Sequence, residues 1–170
     1  FLITRNNRFL GQDTLDGENL ISRLTGFTGS AGLLLVTTEK NFLFVDGRYE
    51  IQAGRQTDPA TTEIVFLSKI SFVDWLKQNF PAKAKIKYNA WCLSVAEINF
   101  FRRCLPQTKW VADNTLEPLE PASVFAHELQ YCGQTTAQKC AALAQKLDDL
   151  GCRGCFLGAA DSVSWLTNLR

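Results

Sequence analysis

The sequence predicts an α/β fold: a mixed β-sheet flanked by helices, followed by part of a second, similar domain. Three observations lead there. Short runs of strand formers alternate with stretches of helical periodicity along most of the chain. Two apolar runs, Leu33 to Thr37 and Phe42 to Val45, face each other across Thr38-Glu39-Lys40-Asn41 as a hairpin buried on both faces. Gly26, Gly29 and Gly32 recur at three-residue spacing between a helix-like stretch and that hairpin. There the backbone must leave a helix and turn sharply against other chain.

Each element has its own warrant. Leu2-Ile3-Thr4 reads as a short strand, and Asn6 to Gly17 as a polar loop. Glu18 to Thr25 sets Leu20, Ile21 and Leu24 at helical spacing, with Gly26 suited to the left-handed position past the helix end. Asp46-Gly47 ends the second hairpin strand, and a helix runs from Tyr49 to Arg55. Glu63 to Leu67 is a strand, and Ser71 to Asn79 a helix with Phe72, Trp75 and Leu76 as apolar positions. Lys85-Ile86-Lys87-Tyr88 alternates as a strand with one wet face. Ser94 and Glu97 form a capping box for a helix through Cys104, which Pro106 terminates, and Trp110 to Ala112 is a strand.

Prolines and acids then cluster from Asn114 to Ser123, which puts a linker at 115–126 between a first domain, 1–114, and the start of a second, 127–170. In the second, Cys140, Leu143, Leu147 and Leu150 make a helical face ending at Gly151. Cys155-Phe156-Leu157 is expected to be a strand, and Asp161 to N-cap a helix through Leu169. A weak internal repeat links Arg23-Leu24-Thr25-Gly26-Phe27 with Trp165-Leu166-Thr167-Asn168-Leu169. The absence of any Met and the lack of a closing signal after Arg170 suggest part of a longer protein.

Composition narrows the function classes. The 170 residues are 46% hydrophobic and 21% charged, as in ordinary globular proteins. A net charge of +1 from 18 basic and 17 acidic side chains gives no overall footprint for nucleic acid or anionic membrane. No apolar run approaches the roughly 20 residues needed to span a bilayer, and the start lacks the pattern of a signal peptide. The six cysteines are expected to be reduced, buried thiols in a cytoplasmic protein.

Candidate chemistry is sparse. The loop from Gly26 to Gly32 follows a helix and precedes a strand, the reverse of a phosphate-binding loop, and it holds no Lys. Asp46 and Arg48 can cap a helix near Gly47 and pair with each other, or line an entrance or a subunit contact. Cys152-Arg153-Gly154-Cys155 has redox spacing but follows a helix instead of opening one, so accidental spacing is the favoured reading. His127 is the lone histidine and stands beside Glu128 without a partner set for acid–base or metal chemistry. On its own residues the chain is not expected to be a catalyst.

Three runs in order resemble the creatinase/prolidase family of pita-bread metallopeptidases, and within it the Xaa-Pro aminopeptidases (aminopeptidase P). They are Leu24-Thr25-Gly26-Phe27-Thr28-Gly29-Ser30-Ala31-Gly32 with Asp46-Gly47-Arg48-Tyr49; His127 to Gly133; and Asp161 to Arg170, with its Asp-x-x-x-Trp-Leu-x-Asn-Leu-Arg pattern. The chain departs from the pattern at Thr115 to Val124, which keeps only the prolines and acids of the family's run before the second domain.

The resemblance implies a creatinase/prolidase N-terminal-type fold in a parent enzyme that releases the residue preceding proline. It implies two divalent metal ions, Mn or Zn, in a C-terminal domain, peptide substrates with proline at the second position, and a homo-oligomer, with no nucleic acid or membrane partner. No catalytic or metal-binding residue is carried onto this chain. Gly26, Phe27, Gly29, Gly32, Asp46, Gly47, Arg48, Tyr49, Trp165, Asn168 and Arg170 carry the signature as structural or entrance-lining residues. The alternative is a stand-alone binding or interaction module of the same fold, with a redox module on Cys152 and Cys155 as a third reading.

Overall fold

The computed structural model describes residues 1–11, 19–115 and 123–170. It divides into two compact units, Phe1–Glu117 and Pro118–Arg170.

Unit 1 is built on a six-stranded sheet of order β4-β3-β2-β1-β5-β6. In chain order its elements are β1 (Leu2–Thr4), α1 (Leu20–Thr25), β2 (Leu33–Val36), β3 (Asn41–Val45), α2 (Glu50–Gln56), β4 (Thr62–Phe66), α3 (Phe72–Asn79), β5 (Lys85–Asn89), α4 (Val95–Cys104) and β6 (Lys109–Asp113). The expected hairpin is β2–β3, and β2 also pairs antiparallel with β1. The pairs β3–β4, β1–β5 and β5–β6 are parallel. Only β2 therefore runs against the rest, which makes the sheet mixed.

The hairpin feeds both faces, as its unbroken apolar runs require. Leu35 and Phe44 enter a core with α3 and α4, where Trp75 packs edge-on to Phe44 at 5.0 Å between ring centroids. Leu34, Leu43 and Val45 enter the opposite core with Ile21 of α1, Phe27 and Ala53 of α2. Helix starts follow the sequence. Ser71 accepts the Asp74 N–H, and Ser94 with Glu97 makes the full capping box.

Unit 2 comprises α5 (Leu129–Cys132), α6 (Thr136–Asp149) and α7 (Ala160–Thr167). An isolated antiparallel bridge joins Ala126 to Leu169.

Several expectations change here. Cys155-Phe156-Leu157 is not a strand, and Phe156 is 93% exposed. A strand exists only through a paired neighbour, and no described residue supplies one. Asp161 is not the N-cap of α7: that position is Ala159, which makes no side-chain cap, and Asp161 lies in the first turn accepting the Ser162 N–H. A carboxylate there still complements the helix dipole. The six cysteines are free but none is buried; Cys140, Cys152 and Cys155 are exposed. The buried face of α6 is turned from the expected one, because Lys139 is buried while Cys140 and Leu150 are exposed. Glu18, most of the tail of the first polar loop and residues 116–122 of the expected linker lie outside the described residues.

Candidate functional site: the glycine loop and the Asp46–Tyr49 turn

Helix α1 ends as its sequence dictates. Gly26 takes φ +79° and returns its N–H to the Ser22 carbonyl at 2.8 Å. A side chain at Gly26 would be excluded twice over, by the backbone conformation and by the Gln56 carbonyl, 2.7 Å from the position of a Cβ. This glycine lets the ends of α1 and α2 touch.

Phe27 then turns fully inward and meets Tyr49 edge-to-face at 5.7 Å. The loop folds back over the Phe27 ring so closely that a Cβ on Gly29 would overlap the ring, 2.2 Å from Cζ. A Cβ on Gly32 would stand 3.3 Å from the Phe44 carbonyl. Thr28 is fastened to α2 by its N–H to Gln56 Oε1 at 3.0 Å and by Gln52 Nε2 donating to Thr28 Oγ1 at 3.0 Å. The Ser30 and Tyr49 hydroxyls lie 2.7 Å apart, and Arg5 Nε donates to the Gly29 carbonyl at 3.0 Å. The loop is thus a packed plug with polar stitches.

Asp46, Gly47, Arg48 and Tyr49 form the turn that leads from β3 into α2. Asp46 accepts a forked pair from Arg48, Nε to Oδ1 at 3.0 Å and Nη2 to Oδ2 at 2.8 Å. It also accepts the Arg48 backbone N–H at 2.9 Å. The side-chain bonds first, and the backbone bond next, hold the Asp46 carboxyl below the usual carboxylate range. The Arg48 guanidinium lies 5.2 Å from the Tyr49 ring centroid. Asp46 caps this turn instead of the helix, whose N-cap is Tyr49. Gly47 differs from the loop glycines, since a Cβ there would meet nothing within 4 Å.

Beside this turn opens a cleft of about 200 Å³ lined by Thr4, Arg5, Ser30, Asp46, Leu67 and Glu97. It sits past the carboxyl ends of β1, β3 and β4. The β3–α2–β4 and β5–α4–β6 crossovers diverge from this point toward opposite sheet edges, with α2 and α4 on opposite faces. Open α/β sheets place ligand clefts at such a reversal. The charged groups in the cleft are already engaged: Asp46 with Arg48, and Glu97 with the Ser94 N–H at 2.9 Å. The cleft can therefore bind or line, but it does not assemble a nucleophile with a base.

The remaining signature residues belong to unit 2. Asn168 is the left-handed cap of α7 at φ +56°, matching Gly26 at the corresponding place in the internal repeat. Lys139, which the sequence analysis did not single out, is 4% exposed. Its Nζ donates to the Trp165 carbonyl at 2.8 Å and to Asn168 Oδ1 at 2.6 Å, and stands 4.6 Å from the Trp165 ring centroid. The ammonium thus satisfies the C-terminal end of α7. Arg170 and Phe125 exchange backbone bonds at 2.8 and 2.9 Å, and the His127 N–H donates to the Asn168 carbonyl at 2.8 Å. The His127 ring stacks on Tyr131. A signal for Lys139 was present: it stands four residues before Leu143 and eight before Leu147, on the half-buried stripe of α6. Among the described residues no group of three or more His, Cys, Asp or Glu converges as a metal site.

Comparison with known proteins follows this division. A family model described as the creatinase/prolidase N-terminal domain matches residues 17–117, and a second model of the same description matches 116–170. The chain belongs to the creatinase/prolidase N-terminal domain family. It is 32% identical over 159 residues to aminopeptidase P1 of Arabidopsis thaliana, covering 86% of this chain and 24% of that protein. Xaa-Pro aminopeptidase 2 of Rattus norvegicus is 26% identical over the same share of this chain and 24% of its own length. The chain thus spans about a quarter of the relatives it matches. Among solved structures, the X-prolyl aminopeptidase of Caenorhabditis elegans, described as a cytosolic enzyme with a di-nuclear active site, matches with a TM-score of 0.78 at 23% identity. That match covers 99% of this chain and 30% of the enzyme, and it bears out the mixed-sheet creatinase/prolidase N-terminal fold.

Proposed function

We propose that this chain is the N-terminal, non-catalytic region of a metallopeptidase that releases the residue preceding proline. The observation that carries the reading is the length relation: 86% of the chain aligns with an aminopeptidase P, yet it accounts for only 24% of that protein. The described residues offer no convergent donor set, so the two divalent ions, Mn or Zn, would be held elsewhere in the parent. There they would activate water for attack on the scissile carbonyl. The domains would be 1–114, a linker at 115–126, and the start of a second similar domain at 127–170. The parent would be a cytoplasmic homo-oligomer, a reading supported for location by the cytosolic C. elegans enzyme.

In this parent the Asp46–Tyr49 turn would line substrate access or a subunit contact. Gly47 supports that role, because the packing of unit 1 gives no reason for a glycine there. The test is hydrolysis of peptides with proline or alanine at the second position, by the parent and by this chain alone, each with added Mn²⁺. Cleavage confined to the parent and to the proline peptide is expected. Cleavage by this chain alone, or none by the metal-loaded parent, would overturn the reading.

A further inference from the structure

We infer that the open face of β5 and β6, together with the outer edge of β6, docks an extended acidic polypeptide segment. The alternation of β5 sends Ile86 and Tyr88 into the core beneath α3 and α4, and leaves Lys85 and Lys87 exposed on the other face. The register pairs Lys85 with Lys109 and Lys87 with Val111, which sets Lys109 on the same face beside Lys85. Neighbouring strands lie about 4.8 Å apart, and like charges at neighbouring positions oppose sheet formation. Among the described residues no acidic side chain comes within ion-pair distance of these three lysines; the pairs found are Lys40–Glu63, Arg48–Asp46 and Lys77–Asp74. A chain with a net charge of only +1 has thus gathered three lysines on one sheet face, where only Lys87 feels a carboxylate, that of Asp113 at the far end.

Among the described residues of unit 1, no buried core packs on that face either. The core beneath α1 and α2 takes its strand residues from β1, β2 and β3, with Ile64 and Phe66 of β4 packed against it, and none from β5 or β6. Strand β6 ends the strand order, so its outer backbone groups have no strand partner among the described residues. Edge lysines commonly guard a sheet against unwanted pairing. That explains Lys109 but not Lys85 and Lys87, which stand one strand further in.

The geometry selects the partner's chemistry. An added strand would take hydrogen bonds from the β6 edge and present alternate side chains to this face about every 7 Å. Acids at alternate positions would meet the Lys85–Lys109 end, with half-buried Val111 offering an apolar contact beside them. Asp113 fixes the direction. It lies at the far end of the face, tied to Thr115, whose side-chain and backbone bonds keep its carboxyl ionised to lower pH than usual. The partner's acids therefore belong over Lys85 and Lys109, and not over Asp113.

The test uses the 170-residue chain and a labelled, acetylated peptide read by fluorescence anisotropy and by amide shifts, its face-side alternate positions carrying Glu over and beyond Lys109, Val beside Val111 and Ser beside Asp113. Binding that weakens with salt and shifts the Lys109–Asp113 amides is expected. The pair Lys85→Glu with Lys87→Glu should weaken binding about tenfold or more. The pair Arg55→Glu with Lys69→Glu, equal in charge change, should leave it within about twofold. The first pair gives Lys109 an opposite charge beside it, so its thermal unfolding should match the wild type and certify the fold. Equal loss in both pairs, shifts away from β6, or equally tight binding of a single-stranded oligonucleotide of the same charge would each overturn the inference.

Discussion

Unit 1 buries Phe27 and Phe44 completely, whereas unit 2 leaves Phe156 93% and Leu150 75% exposed. The difference lies in layers: in unit 1 a sheet receives helices on both faces, so a hairpin residue is covered whichever way it points. The described residues of unit 2 form three helices and a single bridge and no sheet of their own, and polar contacts around Lys139 and Asn168 tie α6 to the end of α7. Apolar composition sets what can be buried, and topology sets what is.

The largest expected effect tests that contrast directly. Phe27→Ala should lower the stability of unit 1 by about 3–5 kcal/mol, seen as a fall in the urea midpoint. Phe156→Ser should change stability by no more than about 0.5 kcal/mol. Similar losses at both sites would mean that Phe156 is packed in solution and that the contrast is wrong.

Next come the glycines. Gly26→Ala combines a positive φ with a 2.7 Å approach to the Gln56 carbonyl, and should cost about 1–3 kcal/mol. Gly47→Ala meets open space and should stay within about 0.5 kcal/mol. If Gly47→Ala proved as costly in this chain, the turn would be structural, and its proposed place at an entrance or contact would lose its support.

In unit 2, Lys139→Met keeps the aliphatic stem but removes the donor to Trp165 and Asn168. The expected cost is about 1.5–3 kcal/mol, read as lost hydrogen-exchange protection at the His127 and Arg170 amides across the Ala126–Leu169 bridge. Unchanged protection would show that Asn168 holds its left-handed cap unaided.

These effects mark what a sequence can and cannot display. The Ser94–Glu97 capping box, the Gly26 helix exit and the β2–β3 hairpin were legible because their causes are local: a hydroxyl three residues from a carboxylate, a residue free of Cβ, a short polar turn between apolar runs. The Thr135–Gln138 capping box ahead of α6 is equally local, although the sequence reading rested on the apolar face alone. The spacing of Lys139 to Leu143 and Leu147 marks the half-buried stripe, but its role is not local: a lysine is ordinarily solvent-facing, and its partners lie 26 and 29 residues away. The Cys155–Leu157 strand failed because a strand's existence depends on a neighbour that local pattern cannot guarantee. Within the candidate site, the glycines and the Asp46–Arg48 pair could be read from the sequence. The Phe27 plug that brings loop and turn together could not, since it depends on Tyr49 arriving from the next connection.

The smallest effect isolates the Asp46–Arg48 fork. Asp46 has a lowered folded-state pKa, caused first by the Arg48 side chain and then by its backbone N–H. The folded state therefore holds fewer protons than the unfolded state as the pH approaches the carboxylate range. The linked stability is fully present above the ordinary Asp value of about 3.9, and is lost as the pH falls through the lower folded value. Asp46→Asn preserves an oxygen for the Arg48 N–H but abolishes the charge. Wild type should thus exceed the variant by a small margin near pH ~6, and the margin should close toward pH ~2.5. Because both side chains meet solvent, added salt should narrow the gap at the higher pH as well. Paired urea titrations across that range check the sign. A gap that stays constant with pH would assign the turn's stability to the neutral backbone cap and not to the forked ion pair.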